Sequence, residues 1–143
     1  GLSSSQKEIT DLLGPPNLLR ISYLPIGEQE KHLVRYETWT YQEHSQEITF
    51  IAGEILATRD LQKIADTDKN ITYSGLRPES FDLEMNLSEV TKVIGSSGFE
   101  RVESLIDGLE EDGIEIYLGK NVLFYIQDGY LLYLETFATG GSQ

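Results

Sequence analysis

The spacing of apolar and polar positions predicts two short helices with nearly the same sequence. One has the sequence EITDLLG at residues 8–14, and the other has the sequence EVTKVIG at residues 89–95. In both stretches apolar residues recur at positions i, i+3 and i+4, which places them on one face of an α-helix. Ser5 and Asn86 each stand three residues before a glutamate, so each is expected to begin its helix as part of a capping box.

Both helices are expected to end after about two turns. Gly14 and Gly95 occupy the position at which a residue with positive φ commonly ends a helix. Pro15 and Pro16 then prevent the first helix from continuing. Helices of this length are marginal in isolation, so each must be held against the residues that follow it.

The segments that follow each helix have the composition of β-strands. They are rich in Ile, Val, Tyr, Phe and Thr, which favour pleated strands. Asp128-Gly129 lies between FYIQ and YLLY, and such a dipeptide is a strong hairpin signal because both turn residues need positive φ. Ala52-Gly53 is predicted to form the corresponding turn in the first half. The predicted strand runs are LLRISYL, VRYETWTY and QEITFIAGEIL, then FERVESLI, GIEIYLG, VLFYIQ and YLLYLETF.

These patterns predict an α+β fold with two tandem helix-plus-antiparallel-meander repeats, whose short helices pack on one face of a β-sheet. The repeats span about residues 5–57 and 86–137 of a single domain, residues 1–143. Residues 58–85 join them, and TRDLQKIA at residues 58–65 is expected to form a short helix. The alternative is that the two helix sequences agree by chance, because capped helix ends are common.

The net charge of −13 argues against nucleic acid as a partner. The chain carries 24 Asp and Glu residues against 11 Lys and Arg residues, and such a surface repels phosphate backbones and anionic lipid headgroups. The absence of cysteine excludes disulfides, thiolate zinc sites and a cysteine nucleophile. The acidic segment at residues 100–115 could meet a basic partner, but a solvated loop is the expected role.

The sequence predicts no membrane-spanning segment. No apolar run approaches the ~18 residues that a transmembrane helix needs. The chain opens with GLSSSQ and not with methionine, as it would after removal of a signal peptide or lipoprotein leader, or after trimming of a disordered tail. We therefore expect an exported protein of the periplasm or cell envelope, and this expectation allows a lipid anchor.

A spaced set of residues in the first half resembles a known pattern. A short helix ends in a Leu-Gly-x-Pro pattern; a strand, a Trp-x-Tyr pattern and a strand closing on Phe-x-x-Gly follow it. This arrangement resembles the SmpA/OmlA family of small outer-membrane assembly lipoproteins and the related fold of β-lactamase inhibitor protein. The matching residues are Leu13, Gly14, Pro16, Trp39, Tyr41, Phe50 and Gly53.

The second half keeps part of the same pattern. Its matching residues are Ile94, Gly95, Phe124 and Gly129. Ile116-Tyr117 stands near the Trp-x-Tyr place, and no proline follows the glycine. The resemblance implies a tandem repeat of helix-plus-sheet units whose concave sheet face grips a partner protein. The inhibitor family carries disulfides, whereas this chain has no cysteine.

Strand alternation predicts an aromatic binding face. Successive side chains of a strand point to opposite faces, so Tyr117, Tyr125 and Tyr133 are predicted to share one side of neighbouring strands. Trp39 and Tyr41 share a face in the first half. These five are the predicted partner-binding residues, because Tyr and Trp offer large contact area at low entropy cost. The alternative is that they complete a core. The opposite, helix-covered side is predicted to carry Ile114, Ile116, Leu118, Val122, Phe124, Ile126, Tyr130, Leu132 and Leu134.

A calcium loop is the nearest approach to a metal motif, and it is incomplete. Asp66, Asp68 and Asn70 reproduce its opening, since hard oxygens at alternate positions can converge on Ca²⁺. Ile71 stands where the sharp turn needs glycine, and Arg77 stands where a bidentate glutamate belongs. We therefore expect a polar turn at this place and no metal.

No other group of residues predicts a catalytic or cofactor site. His32 and His44 are expected at the surface. GSSG at residues 95–98 lacks the spacing of a nucleophile elbow, and no phosphate-binding glycine motif is present. Carboxylates are abundant, but general acid–base chemistry needs two of them in one cleft.

We therefore expect a non-catalytic binding protein that engages a protein partner through its aromatic sheet face, as an inhibitor or an envelope-assembly protein. The alternative is a small-molecule-binding or enzyme domain with an aromatic pocket and an acidic residue. A deep cavity with a buried carboxylate would favour the alternative, and a broad shallow aromatic face would favour protein binding. A third expectation, a subdomain of a longer chain, is compatible with either function. The sequence does not predict the oligomeric state.

Overall fold

The computed structural model describes residues 1–26, 32–62, 71–82, 84–95, 99–103 and 113–140. The first half contains α1 (Ser4–Leu13), β1 (Leu18–Ile26), β2 (His32–Tyr41), β3 (Gln46–Ile51) and β4 (Glu54–Asp60). The second half contains α2 (Leu87–Ile94), β5 (Glu100–Val102), β6 (Ile114–Leu118), β7 (Val122–Gln127) and β8 (Tyr130–Thr136). A short 3₁₀ helix at Pro78–Ser80 lies between the halves.

The eight strands form one antiparallel sheet with the order β4-β3-β2-β1-β8-β7-β6-β5. The first and last strands, β1 and β8, are neighbours at its centre, where Ile21 lies opposite Leu134. In each half one helix precedes four strands that pair in sequence order. The predicted α+β class, with short helices and an antiparallel sheet, is therefore confirmed.

The helix predicted at residues 58–65 is wrong for its first three residues, which belong to β4. Thr58 lies opposite Ile48, and Arg59 lies opposite Glu47, in the ladder between β3 and β4. The turn at Ala52-Gly53 brings this segment beside β3, and ladder pairing outweighs the local helical periodicity. Residues 63–65 of the prediction lie outside the described residues.

The two helices begin with capping boxes, one of them at a different residue from the one predicted. Asn86 caps α2 as expected, because its side chain accepts the Glu89 amide at 2.9 Å. α1 is capped by Ser3 and not by Ser5: the Ser3 hydroxyl accepts the Gln6 amide at 3.1 Å. Ser3 prevails because the same hydroxyl donates to the Gly53 carbonyl at 2.6 Å, which ties the helix to the sheet. The glycines predicted to end the helices do so, with φ values of 77° at residue 14 and 99° at residue 95.

Two hairpin turns have the same backbone form. Ala52-Gly53 has φ values of 50° and 81°, and Asp128-Gly129 has φ values of 50° and 90°, as two-residue hairpin turns require. Both predicted turns are confirmed. The ladder after each turn contains a bulge: Leu56 has no partner residue between β3 and β4, and Leu132 has none between β7 and β8.

Gly53→Ala is expected to cost more stability than Gly129→Ala. Both positions have positive φ, so alanine introduces about 1 kcal/mol of backbone strain at either one. A Cβ at Gly53 would lie 2.8 Å from the Cβ of Ser3, whereas at Gly129 it would meet no described atom within 4 Å. We expect Gly53→Ala to lower the free energy of unfolding by about 1–3 kcal/mol more than Gly129→Ala in urea denaturation. Equal costs would contradict the close packing of α1 against this turn.

Both helices pack on the same face of the sheet. One cluster of buried apolar residues includes Trp39, Phe50 and Phe124 of the sheet. Val90 of α2 belongs to this cluster, and Ile9 of α1 packs against it. We call the side of the sheet that carries these strand residues the helix-covered face, and the opposite side the far face. The pairing register assigns each paired strand residue to one of these faces, because directly opposite residues point the same way.

Candidate functional site

The five aromatic residues predicted to bind a partner do not share one face. Trp39, Tyr41 and Tyr117 lie on the helix-covered face and are buried, with exposures of 0%, 2% and 8%. Tyr125 and Tyr133 lie on the far face and are half-buried. The first three are therefore core residues by position, and only the last two lie where a partner could reach them. The binding role of the aromatic face stays a prediction.

Tyr117 was assigned to the wrong side because alternation within one strand does not fix its phase against the next strand. In the ladder between β6 and β7, Tyr117 lies opposite Phe124, and Ile116 lies opposite Tyr125. The Tyr117 ring stacks on Phe124 at 5.2 Å and contacts Phe99. The connection at residues 119–121 sets this register. Ile114, Ile116 and Leu118 consequently lie on the far face, contrary to the prediction.

A row of hydroxyl-bearing residues crosses the centre of the far face. Tyr36 lies opposite Ser22, Ser22 lies opposite Tyr133, and Tyr133 lies opposite Tyr125. We call these four residues, from β2, β1, β8 and β7, the tyrosine row. The Tyr125 and Tyr133 ring centroids are 5.0 Å apart, so these two rings form one aromatic surface. Tyr36 was not among the predicted binding residues, although its odd spacing from buried Trp39 on the same strand places it on the other face.

Charged and polar side chains border the tyrosine row. In the next ladder row Arg20 lies between Thr38 and Glu135. The Tyr133 hydroxyl donates to the Glu135 carboxylate at 3.1 Å. Burial, and then the Glu135 charge, raises the pKa of Tyr133 to about 12. The hydroxyl therefore stays protonated at neutral pH and can serve as a hydrogen-bond donor on this face.

The free energy of unfolding is expected to fall between pH 10 and pH 12. Burial, and then the Glu79 charge, also raises the pKa of Tyr41 to about 12, from the ordinary value of 10.0. Between these values the unfolded chain binds fewer protons than the folded chain, so stability falls as the pH rises. The contribution of Tyr41 and Tyr133 is thus complete below pH 10 and lost as the pH passes about 12. Urea denaturation at fixed pH measures the slope; Tyr41→Phe and Tyr133→Phe should each reduce it, and an unchanged slope in both would contradict the shifts.

A second candidate site is a cavity of about 310 Å³ beside the N-terminal end of α1. Its polar lining includes Gln6, Tyr23, Arg35, Glu37, Glu79 and Asp82. Glu37 is 2% exposed and its carboxylate accepts three hydrogen bonds. The donors are Gln6 Nε2 at 2.7 Å, the Arg35 guanidinium at 3.1 Å and Trp39 Nε1 at 3.2 Å. This site has the buried carboxylate that would favour the alternative function.

The hydrogen bonds of Arg35 show what the buried carboxylate holds in place. Besides Glu37, the guanidinium donates to the Pro78 carbonyl at 2.5 Å, to the Phe81 carbonyl and to the Tyr23 hydroxyl at 3.3 Å. It therefore fastens the segment around Pro78–Ser80 to β2. Because both Glu37 oxygens accept hydrogen bonds and its charge is paired with Arg35, the arrangement is that of a structural anchor rather than a free acid or base. One oxygen of the Glu79 carboxylate is buried without a hydrogen-bond partner in the described part of the chain.

His44 is exposed as predicted, and several other sequence predictions fall outside the described residues. Asp66, Asp68 and Asn70 lie outside them, as do residues 96–98 of GSSG and residues 104–112 of the acidic segment. Within the described ranges no cluster of three or more His, Asp or Glu side chains could hold a metal ion. Among the same residues no helix is long and apolar enough to cross a membrane.

Comparisons with known proteins return no match among family models, curated proteins or solved structures. The resemblance to the SmpA/OmlA and β-lactamase-inhibitor proteins therefore stays a prediction. The candidate sites are defined by their geometry: the tyrosine row on the far face and the cavity around Glu37.

Proposed function

We propose that the chain is a non-catalytic binding protein that engages a protein partner through the tyrosine row. The observation that carries the proposal is the unbroken succession of Tyr36, Ser22, Tyr133 and Tyr125 across four neighbouring strands. Half-buried tyrosines are held in place by their neighbours, so they lose little entropy when a partner covers them. The adjacent Arg20 and Glu135 supply the polar border that protein interfaces need around an aromatic centre.

The two halves of the chain are proposed to be tandem repeats. Read across the sheet, the order β4-β3-β2-β1 is followed by β8-β7-β6-β5, so a shift of four strands carries the first half onto the second. In both halves a capping box opens the helix and a glycine with positive φ ends it. The contacts support the same correspondence, because α1 touches β4 and α2 touches β8.

The hairpins support this correspondence residue by residue. Leu56 and Leu132, the unpaired bulge residues, each stand three positions after the turn glycine. Trp39 lies opposite Ile48, and Tyr117 lies opposite Phe124, with Ile48 and Phe124 each five positions before that glycine. Both aromatic rings occupy the core at equivalent places. Kinship with the SmpA/OmlA-like and inhibitor-like proteins, and export to the cell envelope, are proposals that rest on the resemblance.

Small-molecule binding in the Glu37 cavity is the second candidate function. It is favoured by one observation, a buried carboxylate beside a cavity of about 310 Å³, near the lower limit for ligand pockets. The tyrosine row is the better-supported site, because the Glu37 oxygens are already occupied by donors within the chain. Glu79 and Asp82 are the other two carboxylates that line this cavity.

The double variant Tyr125→Ala/Tyr133→Ala is expected to lose partner binding. Removal of a hot-spot tyrosine costs about 2 kcal/mol or more, so removal of both should lower the affinity about a thousandfold. The wild-type chain is immobilised, retained proteins from the source organism are identified, and each is then purified and titrated calorimetrically. Leu12→Ala, at a position 82% exposed on α1, is the matched control and should bind normally. Equal affinity of the double variant and the control, at equal melting temperature, would refute the tyrosine row as the site.

A further inference from the structure

The outer edge of β4 has no neighbouring strand in the part of the chain that the structure describes. All seven residues of this strand, Glu54–Asp60, are exposed. Ile55 and Leu56 are 48% and 57% exposed, so two large apolar side chains stand at the rim of the sheet. In the sheet of described strands β4 has β3 as its neighbour on one side only. Among the described residues no strand pairs with its outer backbone groups, and an edge of this kind can pair with another extended chain.

The centre of the sheet shows how an edge of this kind is used. Under the proposed tandem correspondence β8 is the counterpart of β4, and the outer edge of β8 is taken by β1. The pairing between β8 and β1 begins immediately after the bulge residue Leu132. Ser22, Ile21 and Arg20 lie opposite Tyr133, Leu134 and Glu135, in that order. A bulge at the start of the strand thus leaves the remainder able to pair. The equivalent residues of β4 are Ala57, Thr58 and Arg59.

We propose that the edge of β4 at Ala57–Arg59 is a second binding site, which takes up an extended strand of a partner chain with an acidic residue opposite Arg59. The positive charge of Arg59 favours a partner strand that carries an acidic residue at the facing position. β8 presents Glu135 to Arg20 of β1, whereas β4 presents Arg59, which is 68% exposed and 3.1 Å from Glu47. Opposite charges in directly facing positions stabilise a strand pair, and like charges destabilise it. A second copy pairing Glu54–Asp60 antiparallel with itself about Ala57 would set Glu54 against Asp60 twice, which disfavours that occupant.

The inference rests on the proposed tandem arrangement, and its test uses two synthetic peptides. One has the sequence of residues 17–24, NLLRISYL, which is the strand that occupies the equivalent edge of β8. The other carries Arg20→Glu. The wild-type chain should bind the glutamate peptide about three- to tenfold more tightly in fluorescence anisotropy. In the protein variant Arg59→Glu the preference should reverse, because it restores the charge pair found between β1 and β8. This reversal is a gain of binding that a poorly folded variant would not produce.

Backbone pairing is tested with N-methylated peptides. Methylating two alternate amides that face β4 should weaken binding at least about tenfold, and methylating the two that face away should not. Amide chemical shifts should change at residues 54–60. Tyr125→Ala/Tyr133→Ala should bind the peptides as the wild type does, so failure of this proposal is distinguishable from failure of the tyrosine row. Absent binding, equal effects of both methylation patterns, a preference that Arg59→Glu does not reverse, or shifts confined to the tyrosine row would each overturn the inference.

Discussion

Glu37→Ala is expected to lower the free energy of unfolding by about 3–5 kcal/mol, because it leaves the buried Gln6 and Trp39 donors and the half-buried Arg35 guanidinium without their acceptor. Gln6, Arg35 and Trp39 all donate to the Glu37 carboxylate, and the Gln6 contact links α1 to β2. Arg35 would retain only carbonyl and hydroxyl acceptors. Chemical denaturation followed by the fluorescence of Trp39, the single tryptophan, measures the loss.

Glu47→Ala is the matched control for this prediction. Glu47 forms an ion pair with Arg59 at 3.1 Å, the same separation as between Arg35 and Glu37. The Arg59 side chain is 68% exposed, and exposed pairs contribute only about 0–1 kcal/mol. If the two glutamate variants lost equal stability, burial would not be what makes the Glu37 network important, and its role as an anchor would be refuted.

Trp39→Ala is expected to cost about 3–5 kcal/mol through loss of packing in the core. Trp39 is 0% exposed, and its ring centroid lies 4.6 Å from that of Phe50. Its indole N–H also donates to Glu37, so the substitution removes one donor from the buried network. Because the variant lacks tryptophan, its unfolding is measured by circular dichroism.

Tyr36→Ala is the control on the same strand. Tyr36 is half-buried and points to the far face, so its removal should cost about 1 kcal/mol. The ratio of the stability losses in Trp39→Ala and Tyr36→Ala tests the division of aromatic residues between the two faces. Similar losses at Trp39 and Tyr36 would contradict that division and would place both rings in a core.

Local features of the fold were predictable from the sequence because short-range chemistry determines them. Asn86 and Glu89 are three residues apart, so their capping box depends only on helix geometry. Asp128-Gly129 forms the predicted turn because both residues tolerate positive φ. The Ser5 prediction failed for a tertiary reason: Ser3 gains an additional bond to Gly53, fifty positions away in sequence.

The candidate site was less predictable because strand phase and long-range contacts determine it. Alternation within one strand separates its two faces but does not say which of them matches a given face of the next strand. Only the register between β6 and β7 shows that Tyr117 and Tyr125 lie on opposite faces of the sheet. The Glu37 anchor joins residues from α1, β2 and the segment near Pro78. No local pattern connects these three regions, so the buried carboxylate has no recognisable signal in the sequence.

The neighbouring positions of β1 and β8 determine the order in which the chain can assemble. The Leu19 amide is hydrogen-bonded to the Thr136 hydroxyl across a separation of 117 residues. During synthesis β1 must therefore wait, with one side unpaired, until β8 has left the ribosome. Contacts between residues so distant in sequence slow folding. The nascent first half is thus the stage at which this protein depends most on protection from aggregation.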